Sequence, residues 1–572
     1  MHFLKCKTLP LGCALLVGTL SVLPHLLASY SLGEGYLGYP FIYQANEDIY
    51  MGRIQEILDG HPLVGSPMLH EYKDAMPPVL PTSEYVYAVP AAVFNLPLPH
   101  VIVAYKFILP AVLFLLVYTL VFGIVARGRA AVWSAVGAGA AVTLGYDLVD
   151  YSHLWQLLTA PETHLLLWTR PVNPVIPALL LCFLTIVVWR TLTKESRWLW
   201  VGGGLALGAL IGYVFSWLVG GALAGAALVF ALYKRNVFAA LRLGAMVALG
   251  FVVQIPYWYQ SLSTLGDAAG RAVQLKNGAF FTHAPIINKF VLATTAVFVL
   301  CAAFELYKKR SIREFALWWW FCALLLVSCW AAFNQQIITG ITVWPYHIVQ
   351  FTIPLCIITL VVLGHNYVAN FFPKLWGAAL VLLISASLAV GVSSALSWGP
   401  RLPDFAERQT YMPIFSWLNN APRDCVVLVS EQQENLSTLV TSFTHCDTYI
   451  STYVPFNVPQ DRILHNYLSL LRLRGLQPQG LEAYLLANPL LVNGYLYSSI
   501  DQSLFGGINE ETKQNIQQVV PAYAEFYRRD FGKELKKYRI DYLLDTGAYA
   551  LPKDLRLKKE METGGFTLYT IL

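Results

Sequence analysis

The sequence predicts an integral membrane protein: a polytopic all-α bundle of about eleven spans, followed by a soluble α/β domain. Three observations favour this fold class. Of the 572 residues, 56% are hydrophobic and only 13% are charged, whereas soluble globular proteins carry about 25% charged residues. Apolar runs of about 20 residues, the length of a membrane-spanning helix, recur along the chain. From about Gly399 these runs stop and charged residues become frequent.

Eleven segments are apolar enough to be predicted as spans. The fifth and sixth are short, and we expect them to form a tight hairpin that turns around residues 216–219. The predicted spans are 9–29, 101–126, 130–146, 174–190, 198–215, 218–233, 237–258, 289–307, 315–333, 350–367 and 375–397.

The basic residues predict the orientation, because Lys and Arg collect on the cytoplasmic side of membrane proteins. Lys5 and Lys7 precede the first span, and basic clusters mark alternate connections after it. The first long loop, residues 31–100, is acidic instead. We therefore expect a multi-pass protein of the cell inner (plasma) membrane with a cytoplasmic N-terminus and an extracytoplasmic C-terminal part. The first apolar segment lacks a clear small-residue cleavage site and is predicted to be retained.

These patterns divide the chain into a transmembrane domain, residues 1–398, and an extracytoplasmic α/β domain, residues 399–572. Cys425 and Cys446 are the two cysteines of the second domain, and they are a candidate disulfide if that domain faces an oxidising compartment. The net charge of +5 is modest and does not indicate nucleic-acid binding. Strand-like segments occur at 426–430, 449–452, 542–545 and 566–572, with helical patterns at 403–420 and 510–538.

Two adjacent acids in the first loop are the strongest candidates for chemistry. Asn46 is a predicted helix cap, and Glu47 and Asp48 fall in the first turn of the helix that follows. Acids at that position often do no more than complement the helix dipole. Neighbouring side chains on a helix point about 100° apart, so the two acids cannot serve one site equally. We expect one to cap the helix and Asp48 to act as a base.

The second outer loop offers a cation and a pair of acids. Arg170 lies just before a span, where its guanidinium suits a lipid phosphate; snorkelling or an ion pair with a loop acid is the other interpretation. Asp147 and Asp150 are three residues apart and are a candidate divalent-cation pair, although a solvated loop explains them better. Asp150 is also a candidate contact to the lipid phosphate or substrate.

The fifth outer loop is polar but carries no formal charge. Polar groups at membrane depth tend to pack inside the bundle or to line a cavity. Asn334, Gln335 and Thr339 are therefore candidate substrate contacts, and His347 is a candidate phosphate contact or proton relay.

Together these features resemble the C-type (GT-C) glycosyltransferase superfamily, whose enzymes take a sugar from a polyprenyl-phosphate carrier. The relatives in question are protein mannosyltransferases, lipid A aminoarabinose transferases and, closest, uncharacterised bacterial members. The resemblance covers essentially the whole chain as architecture. Its local strings are Asn46-Glu47-Asp48-Ile49-Tyr50, Arg170-Pro171-Val172-Asn173-Pro174 and Asn334-Gln335-Gln336 with Thr339-Gly340 and His347.

The resemblance implies an inverting transfer of a hexosyl or pentosyl group to an acceptor hydroxyl at the outer face. Asp48 would be the catalytic base, with Glu47 as second choice, and Arg170 and His347 would hold the carrier phosphate. The partners would be a polyprenyl-phosphate sugar and a glycan, lipid or protein acceptor. No cofactor would be required, and a divalent metal would be compatible with the chemistry.

Other functions remain open at this point. A transporter or flippase for a lipid-linked or amphiphilic substrate would explain the spans, but such folds tend to show repeats and mid-membrane ionisable groups. A non-catalytic scaffold would not explain the structured acidic loop. A polysaccharide ligase or polymerase would place its key residues in a late outer loop, and His347 would then outrank Asp48.

Overall fold

A computed structural model describes most of the chain, and within it two compact units are distinguished. The first comprises residues 1–33, 100–258 and 280–403; the second comprises residues 34–99, 259–279 and 404–572. The described residues are 2–44, 46–75, 77, 79–125, 128–149, 154–155, 159–160, 164–193, 198–265, 279–430, 436–451, 458–496 and 508–572. The predicted domain boundary at 398/399 stays a prediction.

Helices account for most of the described residues. In chain order they are α1 His2–Leu32, α2 Glu47–Asp59, α3 Tyr85–Val93, α4 Leu98–Ile124, α5 Arg129–Thr143, α6 Val175–Leu192, α7 Leu199–Ala209, α8 Val214–Tyr233, α9 Val237–Val253, α10 Ile255–Leu265, α11 Lys289–Lys309, α12 Leu317–Asn334, α13 Gln336–Thr339, α14 Pro345–Phe371, α15 Pro373–Leu396, α16 Leu402–Gln409, α17 Met412–Leu418, α18 Leu436–Phe443, α19 Gln460–Leu473, α20 Leu481–Ala487, α21 Pro489–Tyr495, α22 Glu510–Tyr527 and α23 Phe531–Leu535. The strands are β1 Ala279–Phe281, β2 Ile341–Val343, β3 Val426–Ser430, β4 Asp447–Thr448, β5 Tyr542–Asp545, β6 Leu557–Thr563 and β7 Phe566–Ile571.

The first unit contains the membrane-spanning helices. Among the described residues, eight helices are long and apolar enough to cross a membrane. The predicted fold class, a polytopic helical membrane protein with a C-terminal α/β portion, is confirmed. Three of the eleven predicted spans correspond to shorter helices: α5, α7 and α9 have 15, 11 and 17 residues. Even 17 residues extend only about 26 Å, less than the hydrocarbon core of about 30 Å.

The predicted turn between the fifth and sixth spans is wrong in position. Helix α7 continues as a tight turn over Leu210–Gly212, and Tyr213 is extended before α8 begins at Val214. Ser216 lies inside α8, where its hydroxyl donates a hydrogen bond to the Tyr213 carbonyl at 2.8 Å. The chain therefore breaks at residues 210–213 rather than at 216–219, because Tyr213 is extended and Ser216 already belongs to the first turn of α8.

Small residues allow the short helices to approach each other closely. An added Cβ at Gly204 of α7 would lie 2.9 Å from Leu249 Cβ of α9, and one at Gly208 would lie 2.8 Å from Val253 Cβ. Glycines at such contacts are typical of helix packing in membranes, where van der Waals contact drives association.

A five-stranded mixed sheet organises the second unit, in the order β4-β3-β5-β7-β6. Strand β3 pairs in parallel with β4 and β5, whereas β5–β7 and β6–β7 are antiparallel. Gly564 and Gly565, both with positive φ, form the turn of the β6–β7 hairpin. Apolar side chains from the sheet and from α19, α20 and α22 form a buried core.

A disulfide joins Cys425, just before β3, to Cys446, just before β4.

We expect the double substitution C425S/C446S to lower the free energy of unfolding by about 2–4 kcal/mol. The bond closes a loop between cysteines 21 residues apart, and without it the unfolded chain gains conformational entropy. Thermal unfolding of the purified protein in detergent, with and without reductant, measures this. A wild-type midpoint that reductant does not change would contradict the expectation; the double variant serves as the reductant-insensitive control.

Candidate functional site

Glu47 fixes the loop that leads into α2. Its Oε1 accepts hydrogen bonds from the backbone N–H groups of Tyr43 at 3.2 Å and Gln44 at 2.8 Å, and the residue is 1% exposed. Asn46 has a left-handed φ of 64° and its side chain makes no capping hydrogen bond. The predicted capping role of Asn46 is therefore wrong, since the carboxylate of Glu47 reaches back to the loop instead.

Asp48, the next residue, has a different environment. Its Oδ1 accepts a hydrogen bond from the Ile49 N–H at 2.9 Å. Burial raises the pKa of the Asp48 carboxyl above its usual value, and the neighbouring Glu47 adds to this; the Ile49 N–H and Arg408 oppose it. The carboxyl group of Asp48 thus binds a proton more readily than an ordinary aspartate, as a general base requires.

Helix α18 holds the first turn of α2 from the opposite side. The Ser442 hydroxyl donates a 2.6 Å hydrogen bond to the backbone carbonyl of Asp48. Gly52 permits close contact between the two helices, because an added Cβ there would lie 3.1 Å from Thr441 Oγ1. The backbone that carries Asp48 is therefore positioned by the C-terminal part of the chain.

A cavity of about 200 Å³ lies beside Asp48 in the second unit. It is smaller than the roughly 300–1,000 Å³ typical of drug-sized ligand sites, and its volume suits a small polar head group. Its lining residues are Ile42, Tyr43, Gln44, Asn46, Glu47, Asp48, Arg408 and Leu439.

Arg408 is the cation of this cavity, and the sequence reasoning missed it. Its Nη1 donates hydrogen bonds to the Ile42 carbonyl at 3.1 Å and the Tyr39 hydroxyl at 3.4 Å. The guanidinium carbon lies 4.9 Å from the centre of the Tyr43 ring. Arg408 is 360 residues from Asp48 in the chain, and nothing in its local sequence distinguishes it from other arginines of the polar C-terminal part.

A buried lysine ties α2 to the sheet. The Nζ of Lys73, which is 3% exposed, lies 3.2 Å from Asp447 Oδ2 and 3.4 Å from Asp424 Oδ1. Glu56 of α2 is buried too, and its Oε1 lies 3.5 Å from the same Nζ. Burial raises the pKa of Glu56 well above its usual value, Asp447 raises it further, and Lys73 opposes both.

The disulfide presents two of these acids to Lys73. Asp424 directly precedes Cys425, and Asp447 directly follows Cys446. His70 adds a contact, with its Nδ1 3.2 Å from Asp447 Oδ2. We refer to Glu56, Lys73, Asp424 and Asp447 below as the Lys73 cluster. This cluster joins the first loop to strands β3 and β4.

In the first unit, Arg170 and His347 are neighbours. They are close enough to interact electrostatically, and Arg170 is 7% exposed. The Tyr213 hydroxyl hydrogen-bonds His347 Nδ1 at 2.7 Å, and the ring of Phe215 stacks on the imidazole at 4.9 Å. Tyr213 is the extended residue at the break between α7 and α8, so the misplaced turn is the reason that sequence reasoning missed it.

The polar residues of the fifth outer loop hold its backbone. Asn334 exchanges hydrogen bonds with the backbone of Ile286, at 2.9 and 3.2 Å. The Gln335 amide donates to the Ile341 carbonyl at 2.7 Å and accepts from the Thr339 hydroxyl at 2.7 Å. Asn334, Gln335 and Thr339 therefore have structural roles in this loop. Their contacts with a substrate stay predictions.

Of the two candidate metal ligands in the second outer loop, the structure describes only Asp147. Asp150 lies outside the described residues, and Asp147 Oδ2 lies 3.4 Å from His164 Nε2. Among the residues described, the one group with metal-ligand spacing is Cys425, His445 and Cys446. Its two sulfur atoms are joined in the disulfide, so they are not available as the thiolates that bind metals.

Comparisons with known proteins give similarity at the level of structure. No protein-family model and no curated protein matches the chain. ArnT from Cupriavidus metallidurans, in the apo state, matches at 14% identity and a TM-score of 0.46, over 100% of this chain and 98% of that one. The same protein bound to undecaprenyl phosphate gives 12% identity and a TM-score of 0.43, over 98% and 97%.

The oligosaccharyltransferase of Archaeoglobus fulgidus, in complex with zinc and sulfate, is also similar. It matches at 11% identity and a TM-score of 0.45, over 93% of this chain and 68% of that one.

Removing the ammonium group of Lys73 should destabilise the folded protein. We expect Lys73→Met to destabilise the protein by about 3–5 kcal/mol, because it leaves buried carboxylates without their counter-charge. Lys73→Arg should retain most of the stability. The measurement is thermal unfolding in detergent, with Lys513→Met, at an exposed lysine that pairs with Glu510, as the matched control. Equal midpoints for Lys73→Met and Lys513→Met would contradict the role of the cluster.

Asp59, at the end of α2, should make the stability depend on pH. Burial raises its pKa to about 6, opposed by the hydrogen bond from Gln55 and by Lys73. The folded state therefore binds this proton more tightly than the unfolded chain, and the free energy of unfolding falls as the pH rises from about 4 to about 6.

Asp59→Asn removes this ionisation and keeps the oxygen that accepts from Gln55. We expect it to be more stable than wild type by about 2–3 kcal/mol above pH 6 and equal to it below about pH 4. Unfolding midpoints at pH 4 and pH 8 check this, with the exposed Asp404→Asn as the control. A constant difference across both pH values would exclude the titration of Asp59 as the cause.

Proposed function

We propose that this protein is an integral-membrane glycosyltransferase that moves a sugar from a polyprenyl-phosphate carrier to an acceptor hydroxyl, with inversion at the anomeric carbon. The observation that carries the proposal is Asp48: a carboxylate whose burial raises its pKa, lining a small polar cavity opposite a guanidinium. A base of that kind removes the proton from the acceptor hydroxyl as the oxygen attacks the anomeric carbon.

Glu47 and Asp48 have separate roles in this proposal. Glu47 Oε1 accepts two backbone N–H groups and stabilises the loop. Asp48 is left as the base. A single displacement needs one carboxylate base and no covalent intermediate, unlike the two carboxylates of a retaining glycosidase.

Arg170 and His347 hold the carrier phosphate in the proposed reaction. Tyr213 occupies His347 Nδ1, which orients the ring and leaves Nε2 to a ligand. The guanidinium of Arg170 beside the departing phosphate stabilises the negative charge that develops on it, and the neutral imidazole of His347 donates a hydrogen bond to the same phosphate. These groups supply the stabilisation without a metal, and transfer assays with and without EDTA test whether a divalent ion contributes.

The proposed topology follows the basic residues of the sequence. The N-terminus is cytoplasmic, and the acidic first loop and the residues after 398 are extracytoplasmic, in the inner (plasma) membrane. The acceptor, a glycan, lipid or protein, is then modified at the outer face.

The direct test is transfer from a panel of polyprenyl-phosphate sugars by purified variants. We expect Asp48→Asn to lower the transfer rate by about 10²–10⁴-fold, the usual contribution of a general base. Glu47→Gln should retain measurable transfer, because the Gln Oε1 accepts the same two N–H groups. Wild-type transfer should rise with pH through a pKa above that of an ordinary aspartate, since the base works deprotonated.

The controls distinguish this proposal from its rivals. Asp404→Asn, an exposed acid in the same unit, is the matched substitution. Undiminished transfer by Asp48→Asn would contradict the assigned base. Loss of transfer in His347→Gln, with full activity in Asp48→Asn, would favour a ligase or polymerase whose chemistry lies in the fifth outer loop.

A further inference from the structure

Arg408 is a cation without an ion pair in the part of the chain that the structure describes. Its side chain is half-buried and lines the cavity beside Asp48. Its hydrogen bonds, to the Ile42 carbonyl and the Tyr39 hydroxyl, are neutral and both use Nη1. Charged groups taken out of water are usually paired, so an arginine of this kind is expected to receive its counter-charge from a ligand.

The rest of the guanidinium is arranged to receive an anion. With Nη1 held, the N–H groups of Nε and Nη2 make no hydrogen bond to the residues that the structure describes, and this planar edge matches the two oxygens of a carboxylate or phosphate. The Tyr43 ring, 4.9 Å away, restrains the guanidinium plane. Neither acid of the cavity forms an ion pair with it among the described residues: Glu47 Oε1 is engaged by the loop backbone, and Asp48 acts on Arg408 only at longer range.

We propose that Arg408 binds an anionic group, a carboxylate or phosphate, on the acceptor molecule whose hydroxyl is presented to Asp48. The proposal rests on the function proposed above, and it narrows the acceptor to an acidic class.

The position of Arg408 indicates that the anionic group it binds belongs to the acceptor and not to the donor. A base contacts the hydroxyl that it deprotonates, at about 2.6–3.2 Å, and that hydroxyl belongs to the acceptor. The cavity holds only about 200 Å³, so a group bound at Arg408 and a hydroxyl at Asp48 lie on the same small head group. Arg408 therefore acts as a specificity determinant of the acceptor.

Asp48 and Arg408 should then be coupled in binding. An anion at Arg408 is repelled by an ionised Asp48, so binding should strengthen as the pH falls and Asp48 takes up a proton. The other charged and titratable groups around Asp48 are Glu47, Tyr39 and Tyr43.

The first experiment measures binding without any transfer. Inorganic phosphate and acetate serve as probes in isothermal titration calorimetry on the full chain in detergent. We expect Arg408→Gln to weaken phosphate binding at least tenfold, Arg408→Lys to weaken it less, and Asp48→Asn to bind at least as tightly as wild type. Arg423→Gln, at an exposed arginine of the same unit, is the matched control and should bind like wild type.

Phosphate affinity that is unchanged in Arg408→Gln would overturn the proposal. So would affinity that is lost in Arg170→Gln and kept in Arg408→Gln. Because this measurement needs no donor and no activity, it stands even if the glycosyltransferase proposal fails.

The second experiment separates acceptor from donor. With wild type active, we expect Arg408→Gln to raise the KM for an acidic acceptor at least tenfold and to leave the KM for the polyprenyl-phosphate sugar within twofold. Arg408→Lys should recover part of the loss.

Two outcomes of this experiment would overturn the proposal. A raised KM for the donor instead would show that Arg408 binds the carrier phosphate. An equal effect on acidic and neutral acceptors would show that the role of Arg408 is merely structural. Absence of transfer by wild type from every donor would count against the proposed function, not against anion binding at Arg408.

Discussion

The charge cluster around Lys73 is the constraint on which the second unit depends. A single buried ammonium group contacts the carboxyl groups of Glu56 in α2, of Asp424 just before β3 and of Asp447 in β4. Ion pairs of this kind cost much desolvation and contribute little net stability when complete. Their effect is geometric, because a missing partner leaves an uncompensated buried charge. The cluster therefore specifies one docking of the first loop on the sheet.

That docking explains how a loop residue acquires the properties of a base. Asp48 stands two helical turns before Glu56 on α2, so the cluster that holds Glu56 also holds the first turn of the helix. Ser442 of α18 and the carboxylate of Glu47 fix the same turn from two further directions. Asp48 is thus held in place by its backbone while its carboxyl group remains beside the cavity. Pre-positioning of this kind lowers the cost of reaching a reactive geometry.

The sequence predicted the features that depend on local pattern. Apolar runs located the helices of the first unit, and strands β3, β5 and β7 lie at predicted segments. Strand β6 was missed because its Lys558, Lys559 and Glu560 do not alternate with apolar residues; it is a charged edge strand, and charges protect such edges from unwanted pairing. The break near Tyr213 was misplaced by a few residues because both flanking segments are apolar.

The site was predictable only where its residues lie in one segment. Glu47 and Asp48 could be separated by helix geometry, but Arg408 and two partners of Lys73, Asp424 and Asp447, come from hundreds of residues away. No local pattern encodes those pairings. The most direct measurement of the central claim is chemical rescue of Asp48→Ala with formate, a small carboxylate that fits the enlarged cavity. If Asp48 is the base, the variant should be nearly inactive in sugar transfer and should regain activity in proportion to formate concentration. Wild-type activity of Asp48→Ala without formate, or an inactive folded variant that formate does not restore, would contradict it.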